Sequence, residues 1–360
     1  MIDRRGFGKV LGLTTGAATV SVTGLPGLPG AQPAAAAPRD VAPRDMAAGK
    51  HTGFPRLKRI RAGLLDVGYA ELGPAHGPAV VCLHGWPYDI HSYVDVAPLL
   101  AGQGYRVIVP YLRGHGTTRF LSARTFRNAQ QSAIALDVIA LMDALKIERA
   151  VLAGFDWGSR TADIVAALWP ERCTALVSVS GYLITDREAQ LAPIAPRAEH
   201  NWWYQYYFAT ERGRRAMEDP DLRHDLTRFV WDTVSPTWDF DDATFERTAA
   251  AFDNPDYAAV VVHNYRWRLG LADGERRYDG LERRLAGRPT IGVPTITLDP
   301  ERDPFTVPGG GSAYRDRFTG AYEHRTLTGV GHNVPQEAPT AFARAVVDAG
   351  RLGQGQLTVK

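Results

Sequence analysis

The stretch that decides the fold is Ala153-Gly154-Phe155-Asp156-Trp157-Gly158-Ser159. An apolar run at residues 149–152 leads into it, and a helical pattern at residues 159–168 leads out of it. The pattern is a strand, a sharp turn and a helix, with glycines two residues before and two residues after one polar residue in the turn. Such a turn presents a nucleophile at the edge of a sheet. The glycines are expected because this turn is strained and the neighbouring backbones pass too close for a Cβ.

The polar residue at the centre of the turn is Asp156, at a position where serine is the usual nucleophile. A carboxylate that attacks a carbonyl carbon forms an anhydride, whereas attack on an sp³ carbon forms an ester that water can cleave. Asp156 therefore predicts a substrate with an electrophilic sp³ carbon and a leaving group, such as an epoxide or an alkyl halide. The alternative is that Asp156 only caps the helix that follows it.

Strand and helix patterns alternate on both sides of this turn. The alternation predicts an α/β fold with a mostly parallel central sheet and helices on both faces. The predicted elements are two antiparallel strands within residues 59–71, strands at 79–83, 105–110, 149–152 and 174–180, and helices at 93–103 and 132–145.

The alternation breaks after Ile184. Residues 186–288 have helical patterns, no clear strand and five of the eight tryptophans, so we expect a helical lid inserted after the sixth strand. This lid separates a first part of the core, residues 56–185, from a second part, residues 289–360. The second part is predicted to hold strands at 293–299 and 324–327 and a terminal helix at 339–352.

The first 38 residues are predicted to be an export signal that lies outside the fold. A basic start with Arg4 and Arg5 precedes a mildly apolar run at residues 10–28. The arginine pair predicts twin-arginine export to the periplasm or the medium, with cleavage near residues 34–37. An ordinary secretory signal is the alternative. Residues 39–55 are predicted to be a disordered linker because they are rich in Pro, Ala and charge.

Composition limits the partners. A net charge of +2 over 360 residues gives no reason to expect binding of nucleic acid or of an anionic membrane surface. The run at residues 10–28 is too weakly apolar for a membrane span, so no stable membrane anchor is expected. The two cysteines, Cys82 and Cys173, are predicted to be buried hydrophobic residues. We expect no metal and no cofactor, and the sequence leaves the oligomeric state open.

A loop of residues 84–87, His-Gly-Trp-Pro, follows a predicted strand at the sheet edge where α/β folds place ligands. The backbone N–H groups of Trp86 and Trp157 are candidates for stabilising an oxyanion. A plain turn is the alternative interpretation of this loop. A cis peptide bond is expected before Pro87.

His332 lies in a loop rich in glycine after the last predicted strand and is the candidate base. In proteins with this strand–turn–helix nucleophile, the order along the chain is nucleophile, acid and histidine. Three acids compete for the middle role, Asp299, Glu301 and Asp303. We favour Asp303 because it lies beyond the strand end, on a loop that Pro304 stiffens.

Together these motifs resemble the soluble epoxide hydrolases of the α/β-hydrolase superfamily, over residues 56–352. The resemblance rests on the loop of residues 84–87, the Asp-Trp-Gly turn at 156–158, Glu301-Arg-Asp303 and Gly331-His332. One departure is Tyr111, at a position where the superfamily often has an acid. It is not a catalytic position.

The resemblance also implies two lid tyrosines that protonate the epoxide oxygen. The family stretch Tyr-Gln-x-Tyr-Phe matches residues 204–208 and points to Tyr204, and a later Tyr-Arg pair points to Tyr265. The implied reaction joins Asp156 to a small apolar epoxide as an ester, which water activated by His332 and Asp303 then hydrolyses to a vicinal diol. The residues expected to line the substrate pocket are His84, Pro87, Trp203 and Tyr207.

Other functions remain open at this point. A haloalkane dehalogenase would share the nucleophile and hold the halide with side-chain N–H groups, which Trp86 and Trp157 could supply. Fluoroacetate dehalogenases have an arginine directly after the nucleophile, where this chain has Trp157, although Arg160 follows. A serine esterase is disfavoured because the chain lacks Gly-x-Ser-x-Gly. A non-catalytic exported binding protein on the same scaffold is the alternative from another class.

Overall fold

The computed structural model describes residues 39–41, 51–306 and 310–354. The predicted export signal, residues 1–38, and residues 42–50 of the predicted linker lie outside the described residues. Three residues of the linker segment, Arg39–Val41, form a strand that pairs in parallel with Tyr322–Leu327. Hydrogen bonding to an open sheet edge can order a segment whose composition alone predicts no structure.

One sheet of ten strands forms the centre of the described part of the chain. The strands are β1 (Arg39–Val41), β2 (Leu57–Ala62), β3 (Leu65–Leu72), β4 (Ala79–Leu83), β5 (Arg106–Pro110), β6 (Arg119–Phe120), β7 (Ala150–Gly154), β8 (Cys173–Val179), β9 (Thr295–Pro300) and β10 (Tyr322–Leu327). Their order is β1-β10-β9-β8-β7-β4-β5-β3-β2, with β6 paired to β3. Only the pairs that include β3 are antiparallel among these strands, so the predicted, mostly parallel sheet is confirmed.

Helices cover the sheet. The flanking helices are α1 (Val96–Gly102), α2 (Gln131–Ala144), α3 (Trp157–Leu168), α11 (Val334–Glu337) and α12 (Pro339–Gln354). α2 packs on α3 and α1 packs on α12, and both α3 and α12 contact β8. Every residue of β7 is buried, as expected for a central parallel strand covered on both faces. Among the described helices, none combines the length and the apolar character that crossing a membrane requires.

Seven α-helices lie between β8 and β9. They are α4 (Pro196–Asn201), α5 (Trp203–Ala209), α6 (Glu211–Glu218), α7 (Pro220–Val234), α8 (Asp242–Ala249), α9 (Tyr257–Arg268) and α10 (Asp279–Ala286). Residues 186–288, all of which the structure describes, contain no strand. Within this helical insertion, α5 and α9 contact each other, and both supply side chains to the site described below.

The turn from β7 to α3 is strained. Asp156 has φ 52° and ψ −121°, a backbone conformation that residues with a Cβ rarely adopt. The glycines on either side make it possible, because a Cβ on Gly154 would lie 2.4 Å from the carbonyl carbon of Gly158, and one on Gly158 would lie 1.9 Å from the carbonyl oxygen of Leu83. The turn therefore passes against the end of β4 with no room for a side chain.

We expect Gly158→Ala to lower the free energy of unfolding by about 1–3 kcal/mol, because the added methyl group overlaps the backbone of β4. Gly280→Ala is the matched control, since a Cβ there meets no atom within 4 Å and alanine favours a helix by up to about 1 kcal/mol. Urea unfolding of both variants measures the difference. A Gly158→Ala variant as stable as Gly280→Ala would contradict the tight turn.

Candidate active site

Asp156 is the centre of the site. Its Oδ1 accepts the backbone N–H of Trp86 at 2.8 Å, and its Oδ2 lies 3.7 Å from Nε2 of His332. Burial alone would raise the pKa of Asp156, but His332, Arg160 and the Trp86 N–H favour the carboxylate more strongly and place the pKa below its ordinary value. Asp156 is therefore ionised at neutral pH, with one oxygen held by the backbone.

The two predicted oxyanion donors are the backbone N–H groups of Trp86, 70 positions before Asp156, and of Trp157, the residue after it. Trp86 donates to Asp156 directly, and the peptide bond between Trp86 and Pro87 is cis, as expected. Trp157 is the first residue of α3, so its N–H belongs to the first turn, whose amides have no partner within the helix. Trp86 lies in the loop after β4 and Trp157 begins the helix after β7, so both donors lie at the carboxyl ends of neighbouring strands.

His332 is held by Asp303. Nδ1 of His332 lies 2.7 Å from Oδ2 of Asp303, and the other oxygen of Asp303 accepts the N–H of Phe305 at 2.9 Å. Burial would lower the pKa of His332, but the two neighbouring carboxylates, Asp303 and Asp156, raise it to about 10. The imidazole is consequently a cation between two carboxylates while Asp156 is ionised.

The other two candidate acids have different partners. Asp299 accepts a hydrogen bond from the hydroxyl of Tyr314 at 2.6 Å. Glu301 accepts the N–H of Gly329 at 2.9 Å. Of the three acids, Asp303 is therefore the one that contacts His332.

A buried brace, which the sequence did not suggest, fixes the loop that carries His332. The carboxylate of Glu337 accepts the N–H groups of Gly331 at 2.6 Å and Asn333 at 3.0 Å. It also accepts the hydroxyl of Ser235 at 2.6 Å, and that hydroxyl accepts the N–H of His332 at 3.0 Å. The brace joins α7 of the helical insertion to α11, and so ties the insertion to the histidine loop.

Tyr204 from α5 and Tyr265 from α9 enter the site from the helical insertion. Both are buried, their ring centres lie 5.4 Å apart, and both rings contact the indole of Trp86, at 5.1 Å and 5.4 Å. Burial raises the pKa of each hydroxyl above its ordinary value, and the charge of Asp156 adds to the effect. Both tyrosines are therefore protonated at neutral pH.

Several of the side chains described so far line one cavity of about 350 Å³. Asp156, His332, Asp303, Tyr204 and Tyr265 all line it. Its remaining lining residues come mainly from the segment after β8 and from the insertion: Ser180, Tyr182, Leu183, Ile184, Thr185, Asp186, Ala189, Gln190, Trp202, Arg268, Arg288 and Phe305, together with Arg160 of α3.

Four residues predicted to line the pocket are absent from that lining. His84 uses both ring nitrogens on the backbone, Nδ1 at 2.9 Å from the carbonyl of Gly85 and Nε2 at 3.0 Å from the N–H of Leu112. The carbonyl of Pro87 accepts the indole N–H of Trp231 at 2.8 Å. The His-Gly-Trp-Pro loop therefore supplies the Trp86 N–H, while His84 and Pro87 hold the loop in place.

The other two, Trp203 and Tyr207, lie on the wrong face of α5. Residues four apart share a face of a helix. Tyr204 and Phe208 form the face that packs on Trp86, whereas Trp203 and Tyr207 pack on each other with ring centres 5.9 Å apart. One face of this aromatic helix therefore points to the site, and the other packs within the insertion.

Arg268 and Arg288 also belong to the site, although no motif in the sequence indicates them. Both line the cavity, although they lie more than 100 positions along the chain from Asp156. Arg160, in contrast, follows Asp156 by one helical turn, and this spacing could have indicated its position. Within the described residues, no three side chains of His, Cys, Asp or Glu are arranged to hold a metal ion.

A family model for the α/β hydrolase fold matches residues 78–334, and the chain therefore belongs to the α/β-hydrolase family. A crystal structure of a proposed epoxide hydrolase from Klebsiella pneumoniae is 58% identical, with a TM-score of 0.81, and the match covers 83% of this chain and 98% of that one. Epoxide hydrolase B of Mycobacterium tuberculosis is 31% identical over 160 residues, which is 41% of this chain and 44% of that protein, less than half its length. A haloalkane dehalogenase of Mycobacterium marinum is 30% identical over 216 residues, 56% of this chain and 67% of that protein. The resemblance to epoxide hydrolases is thus confirmed at the level of the family.

Proposed function

We propose that this protein is an epoxide hydrolase that forms a vicinal diol through a covalent ester on Asp156. The observation that supports it best is the shared cavity, which is lined by an ionised carboxylate and by two buried tyrosines. An epoxide needs both groups, because its carbon needs a nucleophile and its oxygen needs a proton when the ring opens. The similarity to proteins named epoxide hydrolases supports the same function.

In the first step, Oδ2 of Asp156 attacks an epoxide carbon and the carbon–oxygen bond of the ring breaks. Oδ1 is the less available oxygen, because it accepts the Trp86 N–H. The released alkoxide takes a proton from Tyr204 or Tyr265. The products are a hydroxyalkyl ester of Asp156 and a tyrosinate.

Ester formation removes the charge of Asp156, which is one of the two carboxylates that raise the pKa of His332. The imidazolium can then give its proton to the tyrosinate and become a free base. As a base it takes a proton from water, and hydroxide adds to the ester carbonyl. The Oδ1 oxyanion forms where the N–H groups of Trp86 and Trp157 can stabilise it. Collapse releases the diol with the proton from His332, and the re-formed acid of Asp156 protonates His332 again.

Haloalkane dehalogenase is the second candidate, since Asp156, His332 and Asp303 suit that reaction as well and one relative carries that name. A halide site built from indole N–H groups would need Trp86 and Trp157 to face the substrate. Neither residue is among those that line the cavity. The tyrosines, in contrast, do line it, and a departing halide needs no proton from them.

We expect His332→Gln to accumulate the ester when treated with styrene oxide, because the water is no longer activated while ring opening persists. Intact-mass and peptide mass spectrometry should show the whole mass of the epoxide added to Asp156. His224→Gln is the control, since His224 lies on the surface with 41% of its side chain exposed, and it should show no adduct.

Two further outcomes have separate meanings. An adduct from 1-bromohexane that equals the alkyl bromide less hydrogen bromide, with none from styrene oxide, would favour the dehalogenase. No adduct from either compound would contradict the proposal and favour a binding protein.

In the His332→Gln background, adding Tyr204→Phe and Tyr265→Phe should slow adduct formation by about 10²–10⁴-fold, whereas Tyr207→Phe, on the same helix but outside the cavity, should not.

We also propose that residues 1–38 direct export of the folded protein by the twin-arginine route. The Arg4-Arg5 pair ahead of a weakly apolar run supports this proposal. Replacing both arginines by lysine should leave the full-length chain in the cytoplasm on cell fractionation. Continued export of that variant would instead favour an ordinary secretory signal.

A further inference from the structure

Arg160 is a buried cation without an anionic partner. Four arginines of the described residues are buried, and three of them pair with a carboxylate. Arg113 lies 2.6 Å from Asp137, Arg223 lies 3.0 Å from Asp253, and Arg325 lies 2.7 Å from Asp348. The fourth, Arg160, is 8% exposed and makes no side-chain hydrogen bond or ion pair with any part of the chain that the structure describes, and its Nε is enclosed without a partner.

A second arginine faces the same space. Arg268 of α9 lines the cavity with Arg160, and its Nε is also enclosed without a partner. One Nη of Arg268 donates to Oε1 of Gln190 at 2.9 Å, so its one side-chain contact of this kind in the described residues is with a neutral amide. Because the two cations line one cavity, the charge of Arg268 adds to burial in lowering the pKa of Arg160.

The acids that line the cavity do not neutralise these arginines. Asp303 is bound to His332, and Asp156, which attracts Arg160 from beyond ion-pair distance, is the nucleophile whose charge is lost when the ester forms. Asp186 is half-buried, and its Oδ1 accepts the N–H groups of Glu188 and Ala189. Arg288, exposed at the cavity edge, adds a third positive charge to the lining.

Leaving a buried guanidinium unpaired is costly, because the lost hydration is not replaced. Guanidinium groups match the geometry of a carboxylate and bind it through two parallel hydrogen bonds. We propose that the substrate is an epoxide that carries a carboxylate, which Arg160 and Arg268 hold while Asp156 attacks the ring. Trp202 and Phe305, which also line the cavity, then pack on the apolar part of the substrate. Such a substrate is amphipathic, whereas the sequence alone predicted an apolar substrate.

This inference rests on the proposed epoxide hydrolase function. The competing explanation is that Arg160 only lowers the pKa of Asp156, an effect that its charge does have. The two explanations differ in what they predict for neutral substrates. With a carboxylate site, the loss of Arg160 costs charged epoxides more than neutral ones, whereas an effect on Asp156 alone costs both equally.

The test compares 4-(oxiran-2-yl)benzoate with the isosteric 4-(oxiran-2-yl)benzamide. The wild-type protein should prefer the carboxylate in kcat/KM, mainly through a lower KM. Arg160→Gln and Arg268→Gln should each lower kcat/KM for the carboxylate by about tenfold to a hundredfold more than they lower kcat/KM for the amide, the range of a lost hydrogen bond to a charged group. Arg283→Gln, an exposed arginine of α10 outside the cavity, is the matched control and should change neither.

Equal losses for both substrates in Arg160→Gln, with a shift of the acidic limb of the pH profile, would overturn the inference and assign Arg160 to Asp156. No preference of the wild-type protein for the carboxylate would overturn it while leaving epoxide hydrolysis intact. If neither epoxide is turned over, the proposed function fails, and calorimetry with benzoate and benzamide then decides on the anion site alone. Benzoate binding that Arg160→Gln abolishes would support the site, and equal binding of the two compounds would overturn it.

Discussion

The hydrogen bond from the Trp86 backbone to Asp156 joins the loop that follows β4 to the turn that follows β7. Asp156 reaches that loop only because its backbone adopts a strained conformation with φ 52°. Such strain persists where the surroundings over-determine it. Here the buried strand β7 fixes one end of the turn and α3 fixes the other, and Gly85 leaves room, since a Cβ there would lie 2.4 Å from the Cβ of Asp156. Asp156, the backbone N–H of Trp157 and Arg160 all take their positions from this one turn.

The charge on Asp156 links the groups of the site to one another. It raises the pKa of His332 and attracts Arg160, while both cations lower the pKa of Asp156. In the proposed mechanism, consuming that charge in an ester therefore changes the electrostatic surroundings of His332 and Arg160 at once. We propose that His332 becomes a competent base only after alkylation, so that the loss of this charge sets the order of the two chemical steps.

Local patterns in the sequence predict the parts of the site that depend on near neighbours. Glycine spacing predicts the turn at Asp156, and strand endings predict the loops of Asp303 and His332. Contacts between distant segments leave no such pattern. The brace between Ser235 and Glu337 joins residues 102 positions apart, and only the packed insertion brings Arg268 near Arg160. Which aromatic residues of α5 reach the cavity and which pack within the insertion likewise depends on how that helix is rotated relative to Trp86.

In the proposed mechanism, Asp156 becomes covalently bound to the substrate. A single turnover of styrene oxide in ¹⁸O-labelled water, with the enzyme in excess, tests it most directly. If Asp156 attacks the ring, the oxygen it gives to the diol is unlabelled and the oxygen of water enters its carboxylate. We expect an unlabelled diol and a peptide containing Asp156 that gains one heavy oxygen. A labelled diol with an unchanged Asp156 would show that water attacks the epoxide directly and would contradict the account.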